Sequence, residues 1–380
     1  MTTEIDYRKR ILIIARWPVG GINTYLRYVY GNHQFSEYQL DILVPDIEDV
    51  ADMRREIRGD NIKILAVPGN IKCFYWEIFR LIFQGRYDLV HSHGFTAGLL
   101  AALPARFFAK KHIVTAHEVF TEGQFAGFKG SIKRILVARL LAMANVVQAV
   151  SEGAKSNILE FLPTLKKSAK CKTIAIMNGI DVRRFQQPGQ RNLRAELHLA
   201  DNTFIVGFMG RFMSPKGFKY LVLATQRLLQ ESEIRGRLKV VAVGSGGFVR
   251  EDTQWIKDLG LERDIHLLPQ TSEVPSTLRA FDMVAMPSLW EACGLLAMEA
   301  LVVGVPVVGS DCNGLAEVLA DTPAITVKPR DVEGLAEAIR AHMIDNRRAE
   351  FEAYAPIAAE RFNVSHMIEK LKQLYEELLL

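Results

Sequence analysis

Short runs of apolar, often β-branched residues alternate along this chain with longer stretches in which apolar positions recur every three or four residues. Runs at residues 11–15, 39–44, 62–67, 89–93, 111–116, 146–150 and 173–177 are each bounded by turn-forming residues. Because these runs are continuously apolar, they predict strands covered on both faces. The helix-length segments between them predict crossovers that join parallel neighbours. The rhythm then restarts, with strands predicted at 204–209, 238–243, 265–268, 283–286, 305–309 and 324–327. Between the two sets lies NGIDVRRFQQPGQRN, where Asn178-Gly179 supplies a turn and Pro188-Gly189 a break, so the domain joint is expected near residues 180–190.

This pattern predicts an α/β protein of two doubly wound, Rossmann-like domains, residues 1–182 and 183–365, facing across a cleft. Sheets of this kind take ligands outside the carboxyl ends of their strands. A last helix near 366–380 carries Met367, Leu371, Leu374, Tyr375 and Leu378 at helical spacing and is expected to pack on one of the domains, the first being the candidate.

Composition narrows the class. The 380 residues are 49% hydrophobic, enough for two sizeable cores. Cys73, Cys171, Cys293 and Cys312 lie far apart with no C-x-x-C pair, which argues against a disulfide framework or a zinc site and for a reducing, cytoplasmic setting. The apolar run at 11–15 is stopped by Arg16, too short for a signal-peptide core, and no segment approaches the ~18 apolar residues of a spanning helix. Residues 1–180 hold 24 Lys and Arg against 16 Asp and Glu, whereas the remainder holds 23 against 27. The excess concentrates in residues 103–172, with 12 basic and 4 acidic side chains, so one face of the first half is expected to meet an anionic surface.

The stretch SLWEACGLLAMEA, residues 288–300, places Glu291 and Glu299 in otherwise small or apolar surroundings. It reads as a loop after the strand at 283–286, then a helix from about Gly294 to Val303 capped by Gly304. Free amides at that helix start, near Gly294 and Leu295, suit a phosphate, and the acids suit sugar hydroxyls. The apolar neighbours leave little room for an exposed helix face at Glu299, and a buried carboxylate is costly unless paired.

A second motif, GRFMSPKGF, comes after the strand at 204–209 and puts Arg211 and Lys216 beside the same strand ends, a pair suited to a diphosphate. The glycine turn VGSGG at 243–247 ends the next strand. In the first half, PVGGINTYL lets backbone approach a ligand near Gly21. HSHG and TAHE end two more strands and aim His93 and His117 at the expected cleft. The dinucleotide fingerprint G-x-G-x-x-G is missing after the first strand, against a nicotinamide dehydrogenase, and a strict Asp-x-Asp metal clamp occurs nowhere.

The ordered set GGINTYL, LVHSHG, IVTAHE, AVSEGA, MNGIDVRRF, GRFMSPKGF, VGSGG and PSLWEACGLLAMEALVVGVPVVGSDCNGLAEVL resembles the retaining glycosyltransferases of the GT-B fold, specifically glycosyltransferase family 4 with its E-x7-E signature. The resemblance implies transfer of a sugar from a nucleotide-diphosphate donor to a hydroxyl acceptor, with no metal or other cofactor. It implies that Glu291 meets the donor sugar and Glu299 the ribose. Arg211 and Lys216, helped by the amides of Gly294 and Leu295, would hold the diphosphate and its developing charge. Gly21 would approach the donor phosphate, His117 the transferred sugar, and Pro269 and Gln270 the base.

The first domain would take the acceptor, a sugar or lipid-linked sugar, and its basic segment would contact an anionic membrane at the inner face, as in surface polysaccharide or glycolipid synthesis. No nucleic-acid partner is implied. The family's Glu-Gly-Phe-Gly reads Glu291-Ala292-Cys293-Gly294 here, a change beside the donor sugar. A nucleotide-sugar epimerase or phosphorylase of the same fold, or a non-catalytic carbohydrate-binding subunit, are the competing expectations.

Overall fold

The computed structural model describes residues 8–31, 33–47, 49–187 and 189–380, so Pro188 of the expected joint lies outside the described residues. The chain divides into two compact units, Met1–Gly179 with Val364–Leu380, and Ile180–Asn363.

The first unit is built on β1 (Lys9–Ala15), β2 (Tyr38–Pro45), β3 (Ile62–Val67), β4 (Leu89–His93), β5 (Lys111–Ala116), β6 (Val146–Ala149) and β7 (Lys172–Ala175), in the order β3-β2-β1-β4-β5-β6-β7. The second is built on β8 (Phe204–Met209), β9 (Leu238–Val243), β10 (Ile265–Leu268), β11 (Met283–Met286), β12 (Val307–Ser310) and β13 (Ile325–Val327), in the order β10-β9-β8-β11-β12-β13. Neighbouring strands are parallel throughout both sheets. In each, the first strand sits centrally and the winding reverses beside it, at β1/β4 and β8/β11, the place where doubly wound sheets take ligands.

Burial explains the continuous apolar runs. Ile11 to Ala15 are wholly inaccessible, as are Val240 to Ala242, because helices cover both faces of each sheet. Strand limits moved where local chemistry intervened. The strand expected at 305–309 runs Val307–Ser310, because Pro306 has no N–H for the ladder, although its carbonyl still accepts from Val284 N–H at 2.8 Å. The strand expected at 173–177 runs Lys172–Ala175.

The last helix, Val364–Leu379, belongs to the first unit. Val364, Met367, Ile368, Leu371, Leu374 and Tyr375 fall on its buried face at helical spacing, each contributing up to about 1.5–3 kcal/mol by transfer from water. Gln34 Nε2 donates to Ser365 Oγ at 3.1 Å, Lys372 Nζ donates to the Gln34 carbonyl at 3.1 Å, and Lys372 pairs with Glu37.

Candidate functional site

In the second unit the loops after β8 and β11 meet because those strands are neighbours, although 75 positions separate Lys216 from Glu291. Leu289 N–H donates to the Pro215 carbonyl at 2.8 Å, pinning one loop to the other. Gly217 makes this approach possible. Its φ of +67° is left-handed, and a Cβ there would lie 1.9 Å from the Pro287 carbonyl oxygen. So held, Lys216 Nζ donates to Glu291 Oε1 at 2.6 Å, and Ser288 Oγ donates to the same oxygen at 3.0 Å. The Glu291 side chain is 11% exposed and that of Lys216 31%, so the pair is screened from water more than a surface ion pair.

Arg211, after β8, is exposed and has no ion-pair partner among the described residues. Its loop is fixed to the VGSGG turn by Phe212 N–H, which donates to the Ser245 carbonyl at 2.9 Å. Ser245 Oγ in turn donates to Gln270 Oε1 at 2.9 Å, joining the exposed Pro269-Gln270 segment after β10 to the same end of the sheet.

The helix after β11 runs Leu295–Val302, one residue shorter at each end than expected, with Gly294 as a left-handed N-cap at φ +77°. Its first internal hydrogen bond is donated by Ala297 N–H to the Gly294 carbonyl, so the Leu295 amide has no intrahelical acceptor. Glu299 is 7% exposed, as its apolar neighbours implied. Cys293 is buried. Burial, with the nearby Glu291 charge adding, pushes the Cys312 thiol up to about 12, so it stays protonated beside the carboxylate. The Glu291 carbonyl accepts from Gly314 N–H at 3.2 Å, which sets the loop against the start of the helix Asn313–Leu319.

The first unit is organised differently. Gly21 opens the helix Gly21–Tyr30, and a Cβ there would meet nothing within 4 Å, so packing in this fold does not require glycine. His93 is not aimed outward as expected; it is 1% exposed and sits in a polar cluster. His93 Nδ1 lies 3.0 Å from His117 Nε2, and His93 Nε2 lies 3.1 Å from the Tyr30 hydroxyl. Tyr30 reaches the Tyr375 hydroxyl at 3.2 Å, and Tyr375 reaches His91 Nδ1 at 2.6 Å. His117 is half-buried at the outer end, edge-on to Tyr25 at 4.7 Å between centroids, and desolvation lowers it to about 3. Tyr30, Tyr375, Thr115 and Ser288 escaped sequence reasoning. Only Thr115 and Ser288 carried a signal, as polar residues within the motifs TAHE and SLWEACGLLAMEA. Among the described residues no three His, Cys, Asp or Glu side chains are grouped to hold a metal ion.

Residues 19–184 match the family model for Glycosyltransferase Family 4 and residues 189–357 that for Glycosyl transferases group 1. D-inositol 3-phosphate glycosyltransferase of Stackebrandtia nassauensis is 30% identical over 313 residues, covering 77% of this chain and 68% of the relative. Alpha-maltose-1-phosphate synthase of Mycolicibacterium smegmatis is 26% identical over 311 residues, covering 76% of this chain and 79% of its own. Anabaena HepE, solved in complex with UDP and glucose, superposes with a TM-score of 0.81 at 20% identity, over 97% of this chain and 100% of its own. Family models on both halves and a relative similar across most of both sequences therefore make this chain a member of glycosyltransferase family 4, with a group 1 domain and the GT-B fold.

Proposed function

We propose that this glycosyltransferase moves a sugar from a nucleotide-diphosphate sugar to an acceptor hydroxyl with retention of anomeric configuration and without a metal ion. The observation that carries the reading is the Lys216–Glu291 pair at 2.6 Å, with Arg211 after the same strand lacking an ion-pair partner among the described residues, at the switch point of the second sheet. Arg211, Lys216 and the amides of Gly294 and Leu295 neutralise the diphosphate and the charge that grows on it as the anomeric C–O bond breaks. The acceptor oxygen bonds to the anomeric carbon on the face the phosphate leaves, and its proton passes to the departing phosphate oxygen, so positioning and electrostatics suffice.

Glu291, oriented by Lys216 and Ser288, accepts hydrogen bonds from donor-sugar hydroxyls, and Glu299 from the ribose. Pro269 and Gln270 border the base. In the first unit, Gly21 serves the donor phosphate by close backbone approach, and His117 serves a substrate hydroxyl. The two relatives, a D-inositol 3-phosphate glycosyltransferase and an alpha-maltose-1-phosphate synthase, support sugar transfer, and the UDP complexes of HepE support a nucleotide-sugar donor. Incubation with UDP-, GDP- and ADP-sugars in the presence of a chelator tests this. One donor should give product with the donor's anomeric configuration by proton NMR, whereas inversion or loss of transfer on chelation contradicts the reading.

We further assign the acceptor to a lipid-linked or membrane-proximal sugar of surface polysaccharide or glycolipid synthesis, at the cytoplasmic face. No helix of the described residues is long and apolar enough to cross a membrane. Support comes from the first unit's helix Gly127–Leu141, where Phe128, Ile132, Ile135 and Leu136 are exposed among Lys129, Lys133 and Arg134. Phe128 is 81% exposed, an apolar side chain among cations that suits an anionic lipid surface. Flotation with phosphatidylglycerol vesicles should recover the protein, and Lys133→Glu with Phe128→Ser should release it; equal binding to phosphatidylcholine contradicts the assignment.

A further inference from the structure

The buried cluster behind His117 has a direction, and the heavy atoms fix it from its far end. Gln148 Nε2 donates to the Ile176 carbonyl at 3.2 Å and the Ala149 carbonyl at 3.3 Å, so Gln148 Oε1 is an acceptor. Thr115 Oγ1 lies 2.5 Å from that oxygen and must donate its single hydrogen to it. His91 Nε2, 2.6 Å from Thr115 Oγ1, can then only donate to it, which leaves His91 Nδ1 as an acceptor. The Tyr375 hydroxyl at 2.6 Å fills that role, ahead of Tyr30 at 3.2 Å.

With its own hydrogen committed, Tyr375 accepts from the Tyr30 hydroxyl at 3.2 Å. Tyr30 then accepts from His93 Nε2–H at 3.1 Å, and His93 Nδ1 accepts from His117 Nε2–H at 3.0 Å. Every hydroxyl in this order both donates and accepts. The opposite order would set the Thr115 and Gln148 oxygens 2.5 Å apart with no hydrogen between them, a costly arrangement for buried groups. His91, His93 and Thr115 are at most 1% exposed, and burial drives both imidazoles well below their usual range, so each is neutral with one donor and one acceptor nitrogen.

We propose that this one-way chain holds His117 as the Nε2–H tautomer, so that Nδ1 is presented as a hydrogen-bond acceptor, and that Thr115 is the positioning residue that sets its direction from the interior. The last helix supplies the link Tyr375, 345 positions from Tyr30. The partner for Nδ1 is the hydroxyl of a sugar substrate, a step that rests on the function proposed above; the tautomer itself does not.

Nitrogen-15 NMR of the full-length protein with labelled histidine reads the tautomer directly. Wild type should carry the His117 proton on Nε2. Thr115→Val removes the acceptor for His91 Nε2–H, so His91 should protonate on Nδ1 and every later bond reverse, leaving His117 protonated on Nδ1. Thr115→Ser should restore the wild-type state, and Tyr30→Phe, which cuts the chain, should give mixed tautomers. For transfer, Thr115→Val should lower kcat/KM by about tenfold, the scale of one substrate hydrogen bond, with Thr115→Ser near wild type.

A His117 proton on Nδ1 in the wild type overturns the proposal whatever the variants do, as does an unchanged tautomer in folded Thr115→Val. A reversed tautomer with unchanged kcat/KM upholds the chain and removes His117 from the substrate contact assigned to it.

Discussion

The two units treat polar groups at their strand ends in contrasting ways. In the second, loops from β8 and β11 are forced together at Gly217 and carry opposite full charges, Lys216 and Glu291, near the exposed cation Arg211. In the first, the groups at the ends of β4 and β5 are neutral imidazoles wired inward through tyrosines, and the glycine that opens the first helix has empty space where a Cβ would go. Charge without a buried relay suits a ligand that is itself charged and whose charge changes during reaction. Neutral, directional hydrogen bonding suits hydroxyls, whose protons must point one way. One topology thus carries two kinds of polar surroundings, decided by the side chains at the end of each strand.

The largest effect that would break this contrast lies in the charged loops. Lys216→Ala or Glu291→Ala should lower kcat by at least about 10²–10³ while circular dichroism and Tm stay near wild type. Because the two side chains share one ion pair yet meet different parts of the donor, the double variant should cost less than the sum of the single losses. Fully additive losses would show that the pair does not couple them.

The glycines sharpen the contrast next. Gly217→Ala should destabilise by about 1–3 kcal/mol from left-handed strain alone, with the clash against Pro287 adding to it, visible as a lowered Tm. Gly21→Ala should leave Tm unchanged, since nothing among the described residues lies within 4 Å of the new methyl group, and should weaken transfer, as the proposed backbone approach to the donor phosphate requires.

In the first unit, burial lowers His112 and His117 to about 3 from an ordinary 6.5. The unfolded chain binds these protons as pH falls below 6.5 and the folded chain resists them. The stability these groups support is therefore whole above 6.5 and declines towards pH 3. Denaturant melts across that window should show a shallower decline in His112→Gln than in wild type. The smallest change belongs to Ser288→Ala, which removes one of the two donors to the Glu291 carboxylate and should cost roughly 0.5–1.5 kcal/mol of transition-state stabilisation, read as a modest fall in kcat.

The same contrast governs how far each region was legible in the sequence. Parallel strands covered on both faces must be apolar throughout, so all thirteen described strands stood out, and errors arose at ends such as Pro306, where a missing N–H moved the start of β12. The charged loops were legible because GRFMSPKGF and SLWEACGLLAMEA are each contiguous. That Lys216 and Glu291 bond to each other was not, because the contact depends on β8 lying next to β11. The first unit's relay was least visible. His91, His93 and Thr115 showed as motifs, but Tyr375 read only as an apolar helix position, and no local pattern marks a hydroxyl whose partner lies 345 residues away. His93 was misjudged for the same reason, since an outward strand end and a buried hydrogen-bonded one have the same sequence.

Whether the second unit's cations Arg211 and Lys216 hold the nucleotide diphosphate is decided by calorimetric titration of UDP, GDP and ADP onto the full chain and its variants. One nucleotide should bind wild type and His117→Ala alike, and Lys216→Ala and Arg211→Ala should each lose most of that affinity, more so at low salt. Affinity unchanged in Lys216→Ala and Arg211→Ala would show that these cations do not hold the diphosphate.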